Sequence, residues 1–254
     1  MSGTEFSIAK REIHIWIVRL IATDDHVSAL FHLCSSDEKA RAQAFRFEHH
    51  RRLFIIGRGL LRAILGRYLG QTPEQVCFRY GTKGKPALER SGLPPLYFNL
   101  SHSDNCVIYA VTHENELGVD VERVRQIAEA ESTASHFFSP EECKDLCSVD
   151  ASHRVEAFLN CWTRKEAYLK AVGDGLCAPL DRFQVSLKPE YPAAFLNFAG
   201  GMQDASRWSL HHLTPAEGYI GALAIPAVSC CLVQRTFLNA VECLNALQRC
   251  DRQS

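Results

Sequence analysis

The chain has 254 residues, enough for one large domain or two small ones, each with its own hydrophobic core. Its 46% apolar and 22% charged residues are the composition of an ordinary folded protein and exclude disorder of the whole chain. The 28 Lys and Arg against 29 Asp and Glu leave no global field to draw it onto nucleic acid or an anionic membrane, so any anion site must be local.

The cysteines number eleven, are scattered, and follow no secretory leader. They read as free thiols in a reducing compartment, and the cytoplasm is the expected location. Cys143 and Cys147, four apart on an expected helix and near His136 and His153, read as a half-buried structural pair rather than a zinc site. No apolar run reaches the roughly 18 residues that a membrane span requires.

In chain order, a strand is expected over His14–Leu20. One long helix then runs from about Ser36 to Leu69, with Ser36 and Asp37 as N-cap candidates and Gly70 as its stop. Leu53, Ile56, Leu60, Leu61, Ile64 and Tyr68 share its apolar face. Arg51, Arg58 and Arg62 line the other side, which predicts a basic stripe. A short strand over Val76–Tyr80 precedes the loop Gly81-Thr82-Lys83-Gly84-Lys85-Pro86. A strand over Leu96–Leu100 ends at the polar stop Ser101–Asn105, and a buried strand covers Cys106–Val111. Glu114-Asn115-Glu116 reads as a turn into the strand Leu117–Glu122, so residues 106–122 are predicted to form a hairpin.

A later helix spans about His153 to Val172 and is closed by Gly173. Strands follow near Phe183–Leu187 and Tyr219–Ile225, then a strand and an amphipathic helical tail over Cys230–Ser254. The order strand, long helix, strand, strand thus occurs twice, before and after about residue 113. It predicts an α+β fold of two related halves, 1–113 and 114–254, packed tightly because no low-complexity linker separates them.

Side chains alternate along Leu117–Glu122, so Asp120 and Glu122 share one face about 7 Å apart. Such a pair is either a solvated edge or a pair of oxygen ligands for Mg²⁺. The later helix favours the second reading, because Glu166 falls in the middle of the stripe formed by Phe158, Leu159, Trp162 and Leu169. A carboxylate aimed at the interior must be protonated, paired or bound to a metal. Lys170, one turn on, lies at the edge of the same stripe. Three carboxylates with lysines and a basic helix describe a site for a polyphosphate held through a metal. Ser101, His102 and Ser103 supply hydroxyl and imidazole donors at a strand end. The loop at Gly84-Lys85-Pro86 lacks Walker spacing and is not a P-loop.

Taken together, Gly84-Lys85-Pro86, Phe98-Asn99-Leu100-Ser101-His102-Ser103, Gly118-Val119-Asp120-Val121-Glu122 and Trp162-Thr163-Arg164-Lys165-Glu166-Ala167-Tyr168-Leu169-Lys170 occur in order. This arrangement, with Phe137-Phe138-Ser139 ahead of Glu142, resembles the phosphopantetheinyl transferases of the surfactin-synthetase type over roughly residues 10–225. The resemblance implies a monomer of two similar α+β halves with coenzyme A and Mg²⁺ in the cleft between them, Mn²⁺ being the alternative ion. It implies that Asp120, Glu122 and Glu166 hold the metal and that Lys170 and His102 contact the pyrophosphate. Lys85, in its Gly84–Pro86 loop, and Ser101 would help hold the nucleotide and its 3′-phosphate. Arg52 would meet the 3′-phosphate, and Glu142 would lie near the incoming serine.

The implied reaction is attack of a carrier-protein serine on the β-phosphate of coenzyme A, with release of 3′,5′-ADP. Glu166 is the first choice for taking the serine proton and Glu142 the second. The partner would be an acyl or peptidyl carrier protein. Two other readings compete. A metal-dependent phosphohydrolase would use the same carboxylates on water, although its nucleic-acid form should carry a basic track that the charge balance disfavours. A carrier-binding module without catalysis would be expected to lack one of Asp120, Glu122, Glu166 or Lys170, and none is missing.

Overall fold

The computed structural model describes residues 6–89, 94–127, 130–173, 180–198 and 205–249. Its first strand, β1 (Glu12–Arg19), is an almost unbroken apolar run, buried along most of its length, as befits a strand covered on both faces. Three helices follow, α1 (Asp24–Leu33), α2 (Ser36–Gln43) and α3 (Glu48–Leu69), then the short ladder β2 (Phe78–Tyr80) with β3 (Pro86–Leu88), then β4 (Tyr97–Ser103) and β5 (Cys106–Thr112).

The second half runs through the same series. It comprises β6 (Gly118–Arg123), α4 (Ala130–Phe137), α5 (Pro140–Ser148), α6 (Arg154–Val172), the ladder β7 (Phe183–Val185) with β8 (Phe195–Phe198), and β9 (Ser209–Leu213) with β10 (Tyr219–Ile225). β5 pairs antiparallel with β1 and β4, and β10 pairs antiparallel with β6 and β9. The strand orders β1-β5-β4 and β6-β10-β9 are therefore the same topology used twice.

The inner faces of the two sheets pack on each other through Ile13, Ile15, Ile17 and Ile108 against Val119, Val121, Leu213 and Leu223. The outer face of the first sheet is covered by α3 and that of the second by α6. Both long helices end as their sequences predict, with Gly70 (φ 62°) and Gly173 (φ 82°) in the left-handed region that closes a helix. Among the described residues no helix is long and apolar enough to cross a membrane.

Several expectations are corrected. The helix over 36–69 is two helices, interrupted at residues 44–47, and the N-cap is Ser35, whose side chain forms a capping box with Glu38. On one straight helix Glu38 and Arg62 would lie about 36 Å apart. The reversal, fixed by Phe45 against Phe54 at 5.4 Å, instead brings Glu38 to 2.5 Å from Arg62 and 3.4 Å from Arg58. Arg62 also donates to the carbonyls of Pro73 and Val76 and is buried. Arg58 and Arg62 thus belong to an internal charge cluster and not to an exposed basic stripe.

Residues 106–122 are not a hairpin. β5 is buried throughout and has β1 and β4 on its two edges, so no edge remains for β6, which joins the other sheet. The hairpin is β4–β5, turning at Asp104 (φ 48°) and Asn105. The tail also differs from its grouping with 114–254. β11 (Cys231–Phe237) pairs parallel with β1, and α7 (Ala240–Arg249) packs on α3, so both extend the first half. Residues 250–254 of the expected tail lie outside the described residues. Cys143 is half-buried and Cys147 exposed, both free.

Candidate active site

The site forms where β4 runs beside β6. Three alternate residues of β4 face the second half: Asn99 accepts from the Val119 amide at 2.9 Å, Ser101 Oγ donates to Asp120 Oδ1 at 2.8 Å, and Ser103 Oγ donates to Glu122 Oε2 at 2.8 Å. The alternation read from the sequence therefore holds, with Val119 and Val121 in the core and both carboxylates on the opposite face.

α6 brings the remaining groups. It crosses β6 at Gly118, where a Cβ would lie 2.0 Å from the Ala167 carbonyl oxygen. At that close approach Lys170 Nζ reaches Asp120 Oδ1 at 2.6 Å and Ser101 Oγ at 2.9 Å. Burial, then the Asp120 charge, pushes Glu166 up to about 7, with Lys170 opposing the shift and Glu122 adding to it. Burial also raises Glu122; its bond from Ser103 opposes the rise and Asp120 adds to it. Two buried carboxylate oxygens, Asp120 Oδ2 and Glu166 Oε1, meet no donor among the described residues.

Mutually repelling carboxylates with donor-less buried oxygens are the chemistry of a cation site, and hard oxygen ligands of this kind suit Mg²⁺ or Mn²⁺. Among the described residues these side chains are not drawn together into a ready-made metal cage, and Lys170 supplies the positive charge at Asp120.

His102 lies on the other face of β4 from Ser101. It lines a cleft of about 380 Å³ with Arg41, His50, Leu53, Gly57 and Arg58. The protein packed around its solvent-accessible ring, and next the Lys170 charge, hold its pKa below the ordinary value; Asp120 opposes them. Arg41 and Arg58 both approach the Phe54 ring, at 5.2 and 5.9 Å. Sequence reasoning missed Arg41 and His50. The signal that would have found them is the tilted ring contact of Phe45 with Phe54, where α2 folds back over the start of α3.

Three expected site residues are engaged elsewhere. Arg52 is not among the residues lining the cleft, and its guanidinium donates to Asp24 and to the Ala22 carbonyl. Lys85 Nζ donates to Glu116 Oε2, Leu117 O and Ala171 O at 2.8, 3.3 and 3.1 Å, in a loop where Gly84 (φ 80°) makes the turn and Pro86 opens β3. Glu142 is buried and does not join the carboxylate cluster. It accepts from the Ser139 amide in a capping box and from the Val185 amide, and pairs with Lys165 at 2.8 Å.

The apolar stripe of α6 is also corrected. The fully buried charges on that helix are Arg164, held by Ser186, and Lys165, which donates to the carbonyls of Leu180 and Phe183 at 2.6 Å. Glu166 is only half-buried. In the run Trp162–Lys170 the two interior cations therefore hold the helix in place, while Glu166 lies near Asp120 and Glu122 and Lys170 reaches Asp120 and, in the first half, Ser101.

Comparison with known proteins bears on what this arrangement does. Residues 116–224 match the family described as the 4′-phosphopantetheinyl transferase superfamily, and residues 21–114 match the family described as 4′-phosphopantetheinyl transferase, N-terminal. The chain is 42% identical to the 4′-phosphopantetheinyl transferase HetI of Nostoc sp., covering 84% of this chain and 87% of that one. It is 32% identical to the transferase psf-1 of Bacillus pumilus over 69% of this chain and 76% of that one. With Sfp of Bacillus subtilis it shares 33% identity over 59% of this chain and 64% of that one. Nothing in these likenesses favours a phosphohydrolase or an inactive binding module. The chain belongs to the 4′-phosphopantetheinyl transferase family, the enzymes that move phosphopantetheine from coenzyme A to a carrier-protein serine.

Proposed function

We propose that Asp120, Glu122, Glu166 and Lys170 carry out this transfer in the cleft between the two halves, with a divalent cation, Mg²⁺ or Mn²⁺, held by the three carboxylates. The observation that carries the reading is the meeting of these groups beside Ser101 and Ser103, with Asp120 Oδ2 and Glu166 Oε1 buried and donor-less. A cation bound there supplies charge stabilisation for the phosphate oxygens.

The residues of the chain do the rest. Lys170, which reaches Asp120 and Ser101 in the site, donates to a phosphate oxygen of coenzyme A. The serine oxygen of the carrier forms a bond to the β-phosphorus as the bond to the 3′,5′-ADP oxygen breaks. Glu166, which lies beside Asp120 and Glu122, takes the serine proton. The His102 cleft receives the nucleotide, and Arg41 with His50 at its wall favours phosphate. The protein acts as a cytoplasmic monomer on an acyl or peptidyl carrier protein.

The test is intact-mass analysis of a panel of apo carrier proteins incubated with the protein, coenzyme A and Mg²⁺. Gain of the phosphopantetheine mass that disappears in EDTA supports the reading. Equal modification by wild type and by Asp120→Ala would overturn it.

A further inference from the structure

We infer that Lys85 is a positioning residue, an ionic strut from the first half that fixes the distance between the two elements carrying the reacting groups. This rests on the reading that Asp120, Glu122, Glu166 and Lys170 do the chemistry. An ammonium has three protons, and those of Lys85 have three acceptors: the Glu116 carboxylate, the Leu117 carbonyl and the Ala171 carbonyl. Its side chain is only 17% exposed.

The location of these acceptors gives the strut its role. Leu117 immediately precedes β6, which bears Asp120 and Glu122. Ala171 immediately follows Lys170 in the last turn of α6, whose carbonyls have no partner within the helix. A positive charge at that end also meets the negative pole of the helix. Between the two carbonyls lies the tight crossing of Gly118 with Ala167 and Ala171. Lys85 therefore closes the same junction from the side. It does so from the β2–β3 loop, which belongs to the other half, so the loop is tied to the site without pointing its charge into the His102 cleft.

A phosphate contact and a strut predict different kinetics. Removing a phosphate contact raises the KM for coenzyme A and leaves that for dephospho-coenzyme A little changed. Loosening the strut lowers kcat, because displacement of reacting groups by about 1 Å reduces turnover on the order of 10- to 100-fold, with KM for both cofactors within about twofold of wild type.

The experiment compares Lys85→Met, Lys85→Arg and Glu116→Gln in the full-length protein. Both cofactors are titrated, and amide hydrogen exchange is followed over residues 117–122 and 167–172. The expected result is a fall in kcat for Lys85→Met, a smaller fall for Glu116→Gln, partial rescue by Lys85→Arg, and faster exchange confined to those two segments. A selective rise in KM for coenzyme A with unchanged exchange would overturn the strut. If Lys85→Met fails to fold, Glu116→Gln gives the same reading, because it leaves the lysine and removes only its charged acceptor. Wild-type turnover by Asp120→Ala would instead refute the site assignment, while the exchange measurement would still judge the strut.

Discussion

Gly118 and Ala167 touch backbone to backbone: a β-carbon on the glycine would sit 2.0 Å from the alanine carbonyl oxygen and 2.4 Å from the Ala171 amide nitrogen. Neither atom belongs to a flexible side chain that can swing aside. The glycine is therefore the condition for placing Lys170 within 2.6 Å of Asp120.

Gly118→Ala should force β6 and α6 apart. We expect a stability loss of about 1–3 kcal/mol from overpacking. We also expect turnover to fall on the order of 100-fold as the carboxylates and Lys170 separate. Thermal melting and single-turnover carrier modification measure the two effects. Wild-type rates would mean that this crossing does not set the site geometry.

Asp120→Ala should lose metal-stimulated turnover by about 100-fold or more, the scale on which a charge-stabilising group acts. Wild-type activity should vanish in EDTA and return with Mg²⁺ or Mn²⁺. The check is the rate of carrier modification across a metal titration, and activity that ignores EDTA would rule out a metal role.

Glu166→Gln should separate stability from catalysis. The folded-state pKa of Glu166 is raised from 4.5 to about 7, so folding is disfavoured progressively as pH rises through that window, where the unfolded chain ionises and the native site resists. Below about pH 4.5 both states hold the proton and the penalty disappears. Without metal, the variant should melt higher than wild type at pH 8, and this difference should shrink toward pH 5. Its turnover at saturating coenzyme A and Mg²⁺ should collapse. Melting curves at the two pH values and one rate decide the matter.

Glu142→Ala should be a folding lesion and not a catalytic one. It leaves the buried Lys165 ammonium without its carboxylate and the Val185 amide without an acceptor. A loss of about 3–5 kcal/mol is expected for a broken buried pair. Turnover per folded molecule, measured at low temperature, should stay within a few-fold of wild type. An unchanged melting temperature with lost activity would return Glu142 to the reaction.

Arg41→Ala should narrow the preference for coenzyme A over dephospho-coenzyme A, since a charge-assisted phosphate contact contributes roughly 1.5–3 kcal/mol. Arg52→Ala should leave that preference intact, because Arg52 is turned to Asp24 and the Ala22 carbonyl. Competition between the two cofactors measures both variants, and the reverse pattern would restore Arg52 to the 3′-phosphate.

Elements with strong local signals are legible from the amino-acid order alone. The alternation of Asp120 and Glu122 with Val119 and Val121, the stops at Gly70 and Gly173, and the doubled order of strand, helix and strands all follow from periodicity and backbone preference, which act over a few residues. The placing of Glu166 and Lys170 one turn apart on one helical face is local in the same sense.

Roles that depend on distant partners emerge only once the chain is folded. Arg58 and Arg62 read as an exposed stripe until α2 folds back and Glu38 meets them. Lys165 and Arg164 sit inside because α6 is buried on several sides at once, and carbonyls at 180, 183 and 186 receive them. Glu142 becomes a cap and an ion-pair partner because Ser139, Lys165 and Val185 surround it, and Lys85 becomes a strut because Ala171 ends beside it. A charged side chain takes its role from whichever partner most lowers the cost of leaving water. Those partners lie up to 86 residues away in this chain, beyond the reach of any periodic pattern.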